Sequence, residues 1–83
     1  MKRKYIKAFN TLKKMGVPVY VHPDDVGNFS ISSEEPESFE WADYYTMNRE
    51  WLFGVHPDVD TVLRKQGLYA EWVNPGRLSV YIG

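Results

Sequence analysis

The 83-residue chain contains no cysteine, and it has no long run of apolar residues. Without thiols it can form no disulfide, and it can use neither a cysteine nucleophile nor a cysteine-ligated zinc or iron–sulfur centre. No stretch approaches the roughly 20 apolar residues of a membrane-spanning helix. The basic opening MKRKYIKAFNTLKKMG is not followed by the apolar core of a secretory signal. We therefore expect a cytoplasmic protein without a membrane anchor.

Catalytic motifs are missing as well. The chain has no glycine-rich phosphate loop, no nucleophile elbow and no set of serine, histidine and acid that spacing would single out. A domain of this length also has little interior in which to enclose a substrate away from water. We therefore expect no enzymatic activity and no cofactor.

Basic residues are absent from the middle of the chain. Residues 15–48 hold seven acids and no lysine or arginine, whereas residues 1–14 hold six bases and no acid. The remainder carries four charges of each sign, so the formal net charge is only −1. This separation indicates either two oppositely charged faces or two segments that partly neutralise each other.

The chain is short and rich in aromatic residues. Because so few residues cannot form two cores, residues 1–83 are predicted to be a single domain. Aromatic residues make up 16% of the chain, which is enough for a compact core with some aromatics left for a surface.

Hydrophobic periodicity predicts a helix at residues 2–15, followed by Gly16 as its stop. The β-branched run at 17–21 and the FSIS stretch at 29–32 predict two strands. The apolar residues of the helix recur at steps of three and four, at Tyr5, Ala8, Phe9, Leu12 and Met15.

The C-terminal third of the chain predicts a second helix and a β-hairpin. The helix is expected at residues 57–66, where apolar residues share one side. Residues 68–73 and 78–82 have the composition of strands and are joined by the sequence NPGR. Pro75 and Gly76 suit the two centres of a tight turn, and some turns of this kind give the glycine a positive φ.

Together these elements predict an α+β fold, with an antiparallel sheet of about four strands and two helices on one of its faces. Residues 11–31 and 61–82 each contain a helix end, a glycine, a strand, a proline turn and a second strand. This parallel suggests an αββ–αββ pseudo-repeat. Preferred helix stops and proline turns can also produce the same order by convergence.

The tetrapeptide VHPD occurs twice, at residues 21–24 and 55–58. Imidazole and carboxylate groups are competent metal ligands, but the two histidines lack the short spacing that would prearrange a site. Pro57 suits the first position of a helix, and Pro23 suits a turn after a strand. We therefore interpret both copies as turn or helix-start sequences and expect no metal site.

Residues 32–53, here named the acidic aromatic segment, combine six large aromatic side chains with six acids. The pattern leaves open a strand or a short helix capped by Ser33 or Ser38. The aromatics either complete the small core or stay exposed as a docking surface whose acids select a basic partner. The candidate partner-binding residues are Glu34, Glu35, Glu37, Glu40, Trp41, Asp43, Tyr44 and Tyr45.

Three stretches of the chain, VYVHPDDVGNFSIS, GLYAEWVNPGRLSVYIG and the basic KYIKAFNTLKKMG, support a resemblance. They resemble small bacteriophage proteins of unknown function, in particular those of short-tailed phages of marine cyanobacteria. The resemblance covers most of the chain and includes no catalytic motif. It implies a protein made inside an infected bacterium, where small acidic proteins often bind a host enzyme, a defence complex or the phage's own machinery.

Three functions follow as hypotheses. The first is a non-enzymatic binding protein, an inhibitor or modulator, that engages a basic surface of a host or phage protein through the acidic aromatic segment. The second is a phage structural or assembly accessory that forms homo-oligomers. The third is a small nucleic-acid binder, which the net negative charge disfavours; it would use Lys2, Arg3, Lys4 and Lys7.

Overall fold

Two helices and a four-stranded antiparallel sheet make up the computed structural model, which describes all residues from 1 to 83. The predicted α+β class, with about four antiparallel strands and two helices, is confirmed. In chain order the elements are α1 (Arg3–Met15), β1 (Val19–Tyr20), β2 (Phe29–Ser32), a 3₁₀ helix (Pro36–Glu40), α2 (Pro57–Lys65), β3 (Leu68–Asn74) and β4 (Arg77–Ile82).

Helix α1 forms because its apolar residues fall on one stripe. Tyr5, Ala8 and Leu12 are buried along this stripe, whereas the basic residues of the helix are exposed. The helix ends at Gly16, whose left-handed backbone (φ 93°) lets its N–H bond the carbonyls of Leu12 and Lys13. Both α1 and α2 are too short and too polar to cross a membrane.

The sheet has the strand order β1-β2-β4-β3, so that β2 and β4 form its centre. Each neighbouring pair is antiparallel. One edge is β1, which has only two residues and follows Pro18. The other edge is β3, which has seven residues.

A single core lies between the two central strands and both helices. Phe29 and Ile31 of β2 and Leu78 and Val80 of β4 are fully buried on this face. The Phe29 ring meets the ring of Phe9 edge-on, with centroids 5.3 Å apart. Because all thirteen buried apolar residues of the chain join one cluster, both helices are anchored to the same core.

The β3–β4 hairpin has the predicted strands and the predicted turn, since Pro75 and Gly76 lie between the paired residues Asn74 and Arg77. Gly76 does not have a positive φ, so this turn does not require a left-handed glycine. The side chain of Asn74 instead accepts a hydrogen bond from the Gly76 N–H at 2.9 Å and closes the turn. A bulge between Trp72 and Asn74 shifts the pairing of β3 with β4 by one residue just before the turn.

The chain order of helix, strand and strand does occur twice. The two halves differ, however, since β1 has two residues and β3 has seven. An order of elements is not a sequence repeat, so the αββ–αββ pseudo-repeat stays a prediction.

The sheet face opposite the helices carries a buried polar network centred on Asp25. This carboxylate accepts hydrogen bonds from the His22 N–H (2.9 Å), the Ser30 hydroxyl (2.9 Å) and Nη2 of Arg77 (3.0 Å). The Ser79 hydroxyl donates a further bond at 3.2 Å. Only 1% of the Asp25 side chain and 9% of the Arg77 side chain are exposed. The loop between β1 and β2 is therefore held flat on the sheet.

The hydrogen bonds around Asp25 decide its ionisation. Burial on its own would raise the pKa of this carboxyl group. The His22 N–H, the Ser30 hydroxyl and the Arg77 guanidinium outweigh burial, and the net effect is a pKa below the ordinary value. Asp25 is therefore a buried anion at neutral pH.

We expect Asp25→Asn to lower the free energy of unfolding by roughly 3 kcal/mol at pH 7, because it removes the charge partner of a buried guanidinium. Because the folded pKa is lowered, this stabilisation is complete above the ordinary carboxyl pKa of about 4 and is lost as pH falls through the folded value. Urea unfolding of both proteins from pH 7 to pH 2 should show a difference that is constant above about pH 5 and shrinks below about pH 4.

The control for this prediction is Asp24→Asn at the neighbouring residue. Its side chain is 79% exposed and lies 3.7 Å from Arg77, so we expect a loss below about 1 kcal/mol. A wild-type advantage over Asp25→Asn that does not change with pH would contradict the charged state of Asp25.

Candidate functional site

The two VHPD copies use their histidines in the same way. Nδ1 of His22 accepts a hydrogen bond from the Asp24 N–H, and Nδ1 of His56 accepts one from the Asp58 N–H, each at 2.9 Å. His56 thereby caps α2, which begins at Pro57 as predicted. The interpretation of both copies as turn and helix-start sequences is confirmed. No group of three histidine or acidic side chains lies close enough together to hold a metal ion.

Substitutions of His56 should separate the cap from the packing of its ring. His56→Ala removes both, whereas His56→Asn loses the ring but keeps an acceptor that suits the cap. We expect the asparagine variant to be more stable than the alanine variant by about 1 kcal/mol in urea unfolding. Equal stabilities of the two variants would contradict the cap.

Of the two alternatives for the acidic aromatic segment, the structure has the short helix and no regular strand. The first part of the segment forms the 3₁₀ helix, which has no side-chain cap, so the expected capping role of Ser33 or Ser38 is not found. Ser33 instead donates to the carbonyl of Ala42 at 2.7 Å, while Ser38 is buried within the 3₁₀ helix. Ala42 is itself fully buried and bridges to Val55, so the middle of the segment is fixed to the core.

The four predicted glutamates lie on the surface. Each is exposed, and none of them forms an ion pair; they are Glu34, Glu35, Glu37 and Glu40. The six bases of residues 1–14 are exposed and form no ion pair either. The acidic part and the basic helix therefore do not neutralise each other by contact, and both sets of charges are exposed.

The predicted aromatic residues divide between core and surface. Trp41 is half-buried, packs against the core and lies 5.3 Å from the ring of His56. Tyr44 and Tyr45 are 49% and 73% exposed, and their rings meet edge-on at 5.0 Å. Asp43 fixes the backbone at this point, because its carboxylate accepts the Tyr45 N–H at 3.1 Å. Trp41 thus attaches the segment, and the two tyrosines face solvent.

The sequence did not predict an apolar groove of about 520 Å³ beside the exposed tyrosines. One wall is the edge strand β3, and the other comprises part of α2 together with Leu52, Phe53 and Val55. Tyr44 adjoins this region through an edge-on contact with the ring of Trp72, at 5.4 Å. The available signal was the pair of large apolar residues Leu52 and Phe53 directly before Gly54, both of which are exposed.

Phe53 stands out in this wall because its side chain is 82% exposed and its φ is positive, at 52°. Such a backbone is strained for a phenylalanine and persists only where its surroundings fix it. The fixing contacts are a hydrogen bond from Nε1 of Trp72 to the Phe53 carbonyl (2.6 Å) and one from the Asp43 N–H to the Gly54 carbonyl (2.8 Å). The backbone of this groove wall is therefore held in place by hydrogen bonds to the rest of the fold.

Gly54 is required because its backbone passes close to the backbone of Asp43. Its φ is 80°, and a Cβ atom there would collide with the Asp43 carbonyl. We expect Gly54→Ala to lower the free energy of unfolding by about 2 kcal/mol or more, because it adds a backbone collision to an unfavourable φ. Gly27→Ala is the matched control, since Gly27 has a φ of 75° but nothing within 4 Å of the added carbon. Equal losses in urea unfolding would show that the close backbone approach imposes no extra constraint.

Comparisons with known protein families, with curated proteins and with solved structures found no match for this chain. Its candidate site is therefore defined by its own geometry: unpaired surface glutamates, two exposed tyrosines and the adjoining apolar groove.

Proposed function

We propose that this protein is a small non-enzymatic binding protein that engages a basic surface of another protein through its acidic aromatic segment. The observation that carries the proposal is the exposure of Tyr44 and Tyr45 on the same segment as four unpaired glutamates. Tyrosine is favoured as an interface anchor, and unpaired carboxylates complement a basic partner.

The two kinds of side chain have different tasks in this proposal. The glutamates raise the rate of encounter with a basic surface through long-range attraction, which salt weakens. The tyrosines supply apolar contact area at a small loss of conformational freedom, so they slow dissociation. Trp41 acts indirectly, because its packing against the core holds the segment in place.

The resemblance to phage proteins narrows the partner to a host or phage protein, and inhibition or modulation of that partner is the corresponding role. The exposed bases of α1 favour a second candidate, a polyanion binder, since no acid of this chain pairs with them. The two candidates use surfaces of opposite charge. Variants that neutralise one surface at a time therefore distinguish the two functions.

The test is a kinetic comparison of variants against the partner captured from a lysate of the natural host and then purified. Glu34→Gln, Glu35→Gln and Glu37→Gln together should lower the association rate and flatten its dependence on salt. Tyr45→Ala should raise the dissociation rate by roughly 30-fold, the equivalent of a 2 kcal/mol anchor.

The control is the combined variant Lys2→Gln, Lys4→Gln and Lys7→Gln, which should bind at wild-type rates. Circular dichroism must first show that every variant is folded. A loss of binding confined to this lysine variant would overturn the proposal in favour of the second candidate. Capture of the protein alone, or unchanged rates in the glutamate and tyrosine variants, would also overturn it.

A further inference from the structure

The outer edge of β3 has no hydrogen-bonding partner. In its pairing with β4, the Gly83 N–H bonds the Gly67 carbonyl, and the hydrogen-bonded pairs recur every second residue from there. The N–H and C=O groups of Leu68, Ala70 and Trp72 therefore point away from β4. None of these residues takes part in any backbone hydrogen bond outside the regular helices and strands. Three donors and three acceptors thus face outward in a row.

The apolar groove lies along this same edge. Five successive residues of β3, from Leu68 to Trp72, line it. Since successive strand residues point to opposite faces of a sheet, a space that touches all five must run beside the edge of the strand. Leu63 of α2 and the exposed Phe53 line the groove opposite the strand. An extended chain in this space would meet backbone groups on one side and apolar side chains on the other.

The charges at the groove indicate whether its occupant is acidic or basic. Three charged side chains line it: Asp60 and Arg64 pair with each other at 2.8 Å, and Glu71 forms no ion pair, so one negative charge is left over. Leu52 and Phe53, which also line the groove, end the acidic aromatic segment, whose glutamates are exposed and unpaired. A second copy of this chain paired edge to edge through β3 would bring a second unpaired Glu71 to the contact, whereas a basic segment would complement it.

We infer that the β3 edge binds an extended, basic segment of the partner protein, which adds a fifth strand to the sheet and places alternate apolar side chains in the groove. The inference rests on the proposed function and specifies its partner as a strand with alternating apolar and basic residues. Strand addition of this kind derives its affinity from main-chain hydrogen bonds and its specificity from alternate side chains.

The test uses three blocked heptapeptides and nuclear magnetic resonance of the labelled full chain. The first peptide alternates lysine and valine, the second has glutamate in place of lysine, and the third is the lysine peptide with N-methylated valines. The lysine peptide should bind saturably and shift the amide signals of Leu68, Ala70 and Trp72. The N-methylated and glutamate peptides should each bind at least about tenfold more weakly, because one lacks hydrogen-bond donors and the other lacks the complementary charge.

A variant at the centre of the edge checks the site itself. Ala70→Pro removes an outward N–H without removing a bond to β4, so the sheet is expected to remain intact. It should abolish binding of the lysine peptide, whereas Ala70→Ser, which keeps the N–H, should bind within about threefold of wild type. Amide spectra of both variants show whether they are folded.

The outcomes separate this inference from the proposed function. If both lysine peptides bind equally and shift only signals of residues 34–45, strand addition is overturned and the acidic aromatic surface is retained. If no peptide binds, or if the lysine peptide binds Ala70→Pro as well as wild type, strand addition is overturned. Sedimentation that shows a dimer lost in Ala70→Pro would assign the edge to a second copy instead, which also overturns it.

Discussion

The antiparallel pairing of β2 with β4 is the interaction on which the rest of the structure depends. These strands are far apart in the chain, and they bring Ser30 opposite Ser79 on one face while Phe29 and Ile31 enter the core on the other. A slip of one residue would exchange the two faces and bury serines against the helices. Asp25 and Arg77 reinforce the register from the polar side, since their contact requires both strands to be in place. Removing either partner would leave a buried charge, so the pair specifies the arrangement even where its net contribution to stability is small.

Local patterns in the sequence predicted the elements, but not the contacts between distant residues. Helix α1 and the C-terminal hairpin agree with prediction within a few residues, because apolar periodicity and glycine stops act over short distances. The turn at Pro75 and Gly76 was also predicted, but the hydrogen bond from the Gly76 N–H to the Asn74 side chain was not. The network of Asp25 was not predicted at all. Asp25 and Arg77 lie 52 residues apart, and nothing local marks an aspartate in a turn as buried.

The candidate site, too, was predicted only in part. Exposure of the glutamates follows from their charge, and a surface role for some of the aromatics follows from their number. Which aromatics would face solvent was not deducible, because Trp41 is held inward by the ring of His56 and by the core, whereas Tyr44 follows it by only three residues. The groove could not be predicted from the sequence for a related reason. Its walls come from α2, β3 and the end of the acidic aromatic segment, which meet only in the folded chain.

The unequal edges of the sheet also limit how the molecule can grow. At one end β1 has two residues and follows a proline, which leaves too little regular backbone to template another strand. At the other end β3 is long and open. Copies of a sheet with two open edges can join without limit, whereas copies with one open edge can only pair. Two copies of this molecule joined through β3 would place the short β1 at both ends of the combined sheet, so repeated edge-to-edge growth from copies of this fold is blocked.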